Sequence, residues 1–445
     1  MAIKSLNHWR LRVFAITWLG YAGFYFCRKN FSVTMPIIID ELGYTKNDMA
    51  LVLTVYSLTY MLGQFVSGYM SDRWGPRIVV SIGLAIAVVA NFTMGMTGSL
   101  MAFVFLMGSN GLGQSTGWSG LIKNMTPWFR PGERGVVMSW WSTCYVIGAF
   151  LATIFATYWA TNDSVLVDMG WKRAYIFPAL VLGVITLVYA LFVRNKPPDV
   201  GLPILVREEE EHVSTRTKGV QMGMLKKLMT KSELWIAAFI YFVLKLTRYV
   251  FLFWLPMYMV EALQYSNQDS GYLSSVYELV GFFGVIAAGY ISDHLMNSRR
   301  FPVVAVMLFL MAILCFIQPI IAELGMLAIG INIGLIGVMT YGPDSILCGA
   351  TAMDIGGKKG AAMAAGIING VGSAGQLMSP FIAAYFSETL GWNALFYGFV
   401  VMSLIGALLA LSKWKFGGRQ EETLEMAGSA VSTKTGQEIN VEDLK

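Results

Sequence analysis

The sequence is poor in charged side chains. Asp, Glu, Lys and Arg together make up 13% of the 445 residues, whereas an ordinary soluble protein has about 25%. Apolar residues make up 56%, and the mean hydropathy is +0.59. Such a chain cannot cover its surface with polar groups in water, but lipid can solvate helices whose backbone groups are hydrogen-bonded internally. The composition therefore excludes a soluble enzyme and favours an all-α membrane protein.

Histidine and cysteine are also scarce. The three histidines all lie in polar segments (His8, His212 and His294), so we expect no histidine proton relay within the membrane. The four cysteines lie in apolar segments without a Cys-x-x-Cys motif (Cys27, Cys144, Cys315 and Cys348). We interpret them as reduced packing residues and predict no disulfide, no metal site and no cofactor. The net charge of +5 is too small to indicate a nucleic-acid partner.

Long apolar segments run through the whole sequence. A bilayer core of about 30 Å needs roughly 20 apolar residues per helix. Twelve segments have that character: 12–38, 47–70, 77–97, 99–128, 134–160, 173–194, 233–261, 268–291, 301–322, 324–350, 359–386 and 392–413. The predicted organisation is a six-helix half at 1–194, a cytoplasmic linker at 195–232, a second six-helix half at 233–414 and a cytoplasmic tail at 415–445.

The two predicted halves share short motifs at a constant spacing. GYMSD at 68–72 is followed 221 residues later by GYISD at 289–293, and Gly-Trp at 170–171 is followed by Gly-Trp at 391–392. Unrelated apolar segments would not share one period. Two six-helix bundles in the same orientation imply a pseudo-two-fold axis along the membrane normal and a binding site near the midplane between them.

The distribution of Lys and Arg predicts the orientation. With the N-terminus inside, the short cytoplasmic segments hold twelve Lys and Arg residues and the external segments hold three. The positive-inside rule therefore places both termini in the cytoplasm. Short external loops favour a multi-pass protein of a bacterial inner membrane, surrounded by lipid, and we expect a monomer.

Two arginines lie inside the apolar segments. Arg28 is in the first segment and Arg248 in the seventh, 220 residues apart, so they are nearly equivalent in the repeat. An arginine near the midplane costs at least about 2.5–3.5 kcal/mol, and it normally faces protein or water and has a function. A guanidinium matches phosphate through its planar fork of donors. We predict that the pair binds one oxyanion; alternatively, each is a structural arginine neutralised by an acid.

Other polar residues are predicted near this pair. Tyr21, Tyr25 and Arg28 share one helix face, where the tyrosines either bind the anion or only pack. Lys245 precedes Arg248 by three residues and is either a second anion ligand or the partner of an acid. Two acids are candidates for that partner, Glu278 first and Asp344 second, as a switchable or a fixed pair. Lys29 points away from Arg28 and is expected to stabilise a helix end.

Glycine and charge motifs suggest contacts between helices. GYMSDRWGPR at 68–77 resembles the loop signature between the second and third helices of the major facilitator superfamily. The resemblance implies that its charged residues hold the cytoplasmic face closed and release it during transport (Asp72, Arg73 and Arg77). Gly111, Gly113, Gly366 and Gly370 are interpreted as close helix contacts.

A narrower resemblance covers about residues 12–414. GYAGFYFCRKNF (20–31), LKLTRYVFLFWLPMY (244–258), YGP (341–343) and KKGAAMAAG (358–366) are similar to helices 1, 7, 10 and 11 of the organophosphate:phosphate antiporters. That family includes bacterial glycerol-3-phosphate and hexose-phosphate transporters and eukaryotic sugar-phosphate exchangers. The resemblance implies the major facilitator fold, that is, twelve transmembrane helices in two pseudo-symmetric bundles.

The resemblance also assigns roles to single residues. It implies that Arg28 and Arg248 bind phosphate, that Glu278 matches a family acid, and that four tyrosines line the site (Tyr21, Tyr25, Tyr60 and Tyr341). Two positions depart from the bacterial pattern. Gln64 replaces a lysine, and Cys144 replaces the histidine of glycerol-3-phosphate transporters, so the pocket for the organic group differs. Lys245 is similar to a lysine of the eukaryotic exchangers.

These features predict a secondary transporter and not an enzyme. The leading hypothesis is exchange of an organic phosphate ester for inorganic phosphate by alternating access, with a small phosphate-bearing anion between the two arginines. One alternative is a proton-coupled symporter of another organic anion, in which Glu278 or Asp344 titrates. The other is a phosphate-ester sensor that does not transport and acts through a signalling partner.

Overall fold

The structure is a computed structural model, which describes residues 2–130, 133, 137–138, 140–162, 164–203 and 218–417. Residues 204–217 of the predicted linker and 418–445 of the predicted tail lie outside the described residues. The described part is helical throughout, and the predicted all-α fold is confirmed.

The described residues of the first half include seven α-helices with known bounds. They are α1 (Ala2–Leu42), α2 (Lys46–Trp74), α3 (Pro76–Met94), α4 (Leu100–Ser115), α5 (Gly117–Met125), α6 (Thr143–Thr161) and α7 (Arg173–Phe192). The fourth predicted segment is therefore two helices, α4 and α5, which meet at Thr116.

The described residues of the second half likewise include seven α-helices. They are α8 (Lys218–Met229), α9 (Ser232–Glu261), α10 (Asn267–Tyr290), α11 (Arg300–Ile321), α12 (Met326–Ile346), α13 (Ala352–Thr389) and α14 (Trp392–Leu411). Short π-helical turns follow α10 and α12, at Ile291–Leu295 and Leu347–Thr351. Among the described residues, nine helical segments are long and apolar enough to cross a membrane.

Local sequence signals define several helix boundaries. The Thr45 side chain accepts a hydrogen bond from the backbone N–H of Asp48, and the Asp48 carboxylate accepts one from Thr45, so a capping box starts α2. At the start of α10, the Ser266 side chain accepts a hydrogen bond from the backbone N–H of Asp269. Gly75 separates α2 from α3 at φ +82°, a value that glycine adopts without steric cost.

Each half packs mainly on itself. Among the described residues, the main contacts between the halves join α1 with α9 and α10, α2 with α13, and α6 with α10. At the end of the bundle away from the chain termini, Lys46 Nζ lies 2.6 Å from Glu261 Oε1, and Asn47 donates to Glu388 at 2.7 Å. Among the described residues, every hydrogen bond between the halves lies at this end or midway along α1.

The predicted glycine contacts divide into two groups. A Cβ at Gly111 would lie 2.3 Å from the Thr59 hydroxyl, and one at Gly113 would lie 2.5 Å from the Gly83 carbonyl oxygen, so close packing is confirmed there. The prediction is wrong for Gly366 and Gly370. Within the described part of the chain, no heavy atom lies within 4 Å of a Cβ built at either position.

Candidate anion-binding site

Helix α1 is broken immediately before Arg28. Cys27 has non-helical torsion angles (φ −98°, ψ 20°), and the backbone N–H of Phe31 donates to the Asn30 side chain at 3.0 Å. In a regular helix that N–H would donate to the Cys27 carbonyl. The break therefore frees the Cys27 carbonyl for other donors at the level of Arg28.

Three side-chain amides donate to the freed Cys27 carbonyl. Asn91 donates from α3 at 3.2 Å, and Asn110 and Gln114 donate from α4 at 2.7 and 3.1 Å. All three amide side chains are buried. A buried carbonyl without a donor is costly, so these amides stabilise the broken helix and tie it to its neighbours.

The same network orients the Arg28 guanidinium. Arg28 Nε donates to Gln114 Oε1 at 2.7 Å, and the Tyr56 hydroxyl donates to the same oxygen at 3.1 Å. The Arg28 Cζ lies 4.5, 5.8 and 5.3 Å from the ring centroids of Tyr25, Tyr56 and Tyr60. Among the described residues, Arg28 Nη2 has no hydrogen-bond partner and no carboxylate lies within 4.0 Å of the guanidinium. Arg28 thus has rings and an amide around it but no counter-ion.

Arg248 has a carboxylate partner instead. Its Nη1 lies 3.0 Å from Asp344 Oδ2, and its Cζ lies 4.6 Å from the Tyr341 centroid and 5.4 Å from the Tyr145 centroid. Within the described residues, Arg248 Nε and Asp344 Oδ1 are both buried without a partner. Tyr145 belongs to α6 and stacks on Tyr341 at 6.2 Å, so both halves contribute to this pocket.

The predicted Lys245–Glu278 pair is wrong. Glu278 pairs with Lys29 at 2.9 Å, and both side chains are 1% exposed. Lys29 therefore does not stabilise the end of its own helix but joins the two halves. Arg28 faces α4 while Lys29 faces the second half, so the two cations do point apart, and the packing of α1 against α9 and α10 brings Lys29 to Glu278.

A proline explains the second contact of Lys29. Pro256 has no N–H, so the Leu252 carbonyl four residues earlier has no donor within α9. Lys29 Nζ donates to that carbonyl at 2.7 Å, and the Ser32 hydroxyl lies 3.1 Å from it. Ser32 also donates to the Phe253 carbonyl at 2.8 Å. Side chains of the first half thus replace a hydrogen bond that α9 cannot make.

Lys245 pairs with neither predicted acid. Its Nζ lies 2.7 Å from Asn369 Oδ1 and 3.5 Å from the Ser373 hydroxyl, both on α13, and 5.4 Å from the Tyr241 centroid. The side chain is buried, and no carboxylate of the described residues lies within 4.0 Å. Arg248 lies one turn further along α9 than Lys245. Asp344 of α12 lies at the level of Arg248 and binds it.

The remaining predicted substrate residues lie around these cations. Tyr21 is buried and packs against Tyr25, Trp118 and Trp141 at centroid distances of 6.0, 5.3 and 5.6 Å. Cys144 is fully buried, one residue before Tyr145, and Gln64 is half-buried. Their contact with a substrate stays a prediction.

The contacts of the loop motif lie within the first half. Asp72 pairs with Lys123 of α5, and the Arg77 Nε donates to the Ala190 carbonyl at the end of α7 at 2.9 Å. Arg73 is exposed. In this conformation Asp72 and Arg77 therefore brace helices of one bundle, and their role in gating stays a prediction.

Sequence reasoning missed the amides and two aromatic residues. Gln114, Asn110 and Asn91 position Arg28 and its helix break, and Tyr56 and Tyr145 contact the two guanidiniums. A signal for the amides was present, since uncharged polar side chains in apolar membrane segments are uncommon and usually face a protein interior.

The arrangement brings four cations and two carboxylates into one buried region. Arg28, Lys29, Lys245 and Arg248 supply four positive charges, and Glu278 and Asp344 supply two negative charges. The Tyr25 phenol is within electrostatic range of both Arg28 and Arg248. The surplus of two positive charges suits a dianion, and the unpartnered guanidinium nitrogens are donors that such an anion can use.

Comparison with known proteins identifies the family of this chain. A Major Facilitator Superfamily profile matches residues 17–365. The chain is 28% identical over 436 residues to a probable hexose phosphate transport protein of Chlamydia trachomatis, covering 92% of each protein. It is 29% identical over 432 residues to the glycerol-3-phosphate transporter of Bacillus subtilis, covering 93% and 94%. It is also 27% identical over 414 residues to the membrane sensor protein UhpC of Escherichia coli, covering 91% and 92%.

A solved structure matches the fold. The chain superimposes with a TM-score of 0.77 on a bacterial homologue of the human lysosomal transporter Spinster, in an inward-facing and unoccupied conformation. The match covers 92% of this chain and 97% of that one at 12% identity, so it bears on the fold alone. The profile spans well over half of the sequence, and the curated relatives confirm the resemblance carried by the motifs. This chain therefore belongs to the Major Facilitator Superfamily, a family of transporters and not of enzymes, and its resemblance to the organophosphate:phosphate antiporters extends over most of its length.

Proposed function

We propose that this protein is a secondary transporter that exchanges an organic phosphate ester for inorganic phosphate by alternating access. The phosphate group binds between Arg28 and Arg248. The observation that carries the proposal is the pair of guanidiniums, each beside aromatic rings and each with a buried nitrogen that lacks a partner among the described residues. Relatives named as a hexose phosphate transport protein and a glycerol-3-phosphate transporter support the substrate class.

The charge balance supports exchange in preference to one-way transport. Without substrate, the buried region carries two more cations than carboxylates. Closing the cavity around these residues during the conformational change is unfavourable, because unpaired charge is then buried away from water. A bound dianion neutralises the surplus positive charge. The loaded protein therefore changes conformation readily while the empty protein does so poorly, and this couples export of one anion to import of the other.

The contacts between the halves support alternating access. Among the described residues they lie midway along α1 and at the end away from the chain termini, which supports a substrate route at the terminal end. With both termini in the cytoplasm of a bacterial inner membrane, as the Lys and Arg distribution predicts, this is an inward-open conformation. Transport then requires Lys29–Glu278 and Lys46–Glu261 to separate as the terminal end closes.

The test is counterflow in proteoliposomes loaded with inorganic phosphate. We expect labelled phosphate uptake to depend on internal phosphate and unlabelled sugar phosphates to compete. Arg28→Lys and Arg248→Lys keep the charge but lose the fork, so each should reduce uptake about tenfold to hundredfold, since hydrogen bonds to charged groups contribute about 1.5–3 kcal/mol.

Arg194→Lys is the matched control. Arg194 donates to the carbonyls of Leu191 and Val193 at the end of α7, outside the site, and uptake should be retained in this variant. Absence of phosphate uptake by folded parent protein would contradict the proposal.

A phosphate-ester sensor is the second candidate because the chain also matches UhpC over most of its length. A sensor that uses the same site would bind phosphate esters but show no counterflow. Equilibrium binding measured on the same preparations separates the two functions. Binding with trans-stimulated uptake supports the transporter, and binding without any uptake supports the sensor.

A further inference from the structure

Asp344 occupies part of the site that the phosphate is proposed to take. Its Oδ2 binds Arg248 Nη1 at 3.0 Å, so an anion that engages Arg248 with both prongs must displace it. Asp344 is buried, and its Oδ1 has no partner among the described residues. A carboxylate that lost this ion-pair partner would be left buried and unpaired, which is strongly unfavourable. It therefore needs another cation close by.

Lys245 is the cation within reach. It lies three residues before Arg248, about 4.5 Å along the same helix face. Asp344 is within electrostatic range of it, and so is Cys348, one turn after Asp344 on the chain. Lys245 is buried and has an amide partner, Asn369, where a carboxylate would neutralise its charge. Its position and its lack of a counter-ion match what a displaced Asp344 requires.

We propose that Lys245 receives the Asp344 carboxylate when phosphate takes Arg248. This inference depends on the function proposed above and adds a residue that controls it. Before binding, Arg28 and Lys245 have no carboxylate partner among the described residues, and Asp344 neutralises Arg248. After binding, the dianion lies between Arg28 and Arg248, and Asp344 pairs with Lys245. Every charge in the site then has a partner, although no proton moves. Lys245 is thus a positioning residue, which favours phosphate by stabilising the acid that phosphate displaces.

The test is a double-mutant cycle on phosphate affinity. Binding of inorganic phosphate to purified full-length protein would be measured for the parent, Lys245→Gln, Asp344→Asn and the double variant. We expect Lys245→Gln to weaken binding about tenfold, which corresponds to about 1.4 kcal/mol. Asp344→Asn should bind phosphate at least as tightly as the parent, because Arg248 no longer has a competing acid. In that background, Lys245→Gln should change the affinity less than about twofold.

Two further comparisons keep the proposal open to contradiction. Lys245→Arg keeps the positive charge and should retain most of the affinity that Lys245→Gln loses. Equal weakening by Lys245→Gln in both backgrounds would overturn the proposal and identify Lys245 as a direct anion ligand. Weaker binding by folded Asp344→Asn would overturn it as well. If the parent binds phosphate but the cycle shows no coupling, only this inference fails; if the parent binds none, the proposed function fails with it.

Discussion

Arg28 and Arg248 are nearly equivalent in the sequence repeat, but their neighbours differ in charge. Arg28 donates to the Gln114 amide and has no carboxylate within 4.0 Å among the described residues. Arg248 forms an ion pair with Asp344 at 3.0 Å. An incoming anion therefore meets a free guanidinium in the first half and must exchange with a carboxylate in the second.

The two lysines show the reverse arrangement. Lys29, beside Arg28, pairs with Glu278, whereas Lys245, one turn from Arg248, has the Asn369 amide. Each half thus contributes one cation paired with an acid and one bound to an amide, and both acids belong to the second half. The comparison teaches that a symmetric pair of arginines can serve two tasks. One is held ready for the anion, and the other is neutralised until the anion arrives.

The largest expected effect comes from breaking the Lys29–Glu278 pair. Glu278→Gln leaves Lys29 buried without a counter-ion, and loss of one partner of a buried pair costs about 3–5 kcal/mol. We expect a marked fall in the thermal unfolding temperature in detergent. Glu261→Gln is the matched control, since Glu261 pairs with Lys46 at the rim with its side chain 40% exposed. Its effect should be smaller, because water reaches the Glu261 carboxylate even though Lys46 is only 10% exposed. Equal stability of the two variants would contradict the comparison.

A smaller effect is expected when a carboxylate is introduced next to the Arg28 guanidinium. Gln114→Glu would place a carboxylate on Arg28 Nε and make the first site similar to the second. We expect the half-saturating phosphate concentration in counterflow to rise about tenfold, because phosphate must then exchange with an acid at both arginines. Gln114→Asn, which keeps an amide but shortens it, is the neutral control. An unchanged half-saturating concentration in Gln114→Glu would show that the missing counter-ion of Arg28 has no role in binding.

The smallest expected effect comes from removing a donor to the Leu252 carbonyl, which has no donor within α9 because Pro256 lacks an N–H. Ser32→Ala removes one donor to Leu252 and should lower the free energy of unfolding by about 0.5–1.5 kcal/mol. Pro256→Ala returns an N–H to α9, so the Ser32→Ala effect should be smaller in that background. Thermal unfolding of the four proteins measures the coupling. Additive effects would mean that Ser32 stabilises the fold independently of the proline.

Much of the fold was predictable from the sequence. Twelve apolar segments correspond to the membrane helices of the first and second halves, in most cases within a few residues of the observed boundaries, because bilayer thickness sets helix length. The exceptions have local causes. The fourth segment divides into α4 and α5 at Thr116, and α1 extends beyond its apolar part at both ends. The length of an apolar segment predicts neither the division at Thr116 nor the extension of α1.

The residues of the site were predictable only in part. Arg28, Lys245 and Arg248 stand out because a charge inside an apolar segment is rare. Gln114 and Asn369 do not stand out in the same way, although each binds one of these cations. The prediction of a close helix contact at Gly366 was wrong, because a glycine pair is typical of close packing but is equally compatible with an open helix face.

The sequence by itself determined that this is an all-α membrane protein with an internal repeat and with arginines at equivalent places in its two halves. Those properties depend on composition and spacing, which the chain carries in every conformation. Only the tertiary structure decided which charges are paired. The packing of α1 against α9 and α10 brings Lys29 to Glu278, and the packing of α12 against α9 brings Asp344 to Arg248 and leaves Lys245 with an amide. Ion pairing depends on distances of a few ångströms between distant segments, and these exist only after the helices pack.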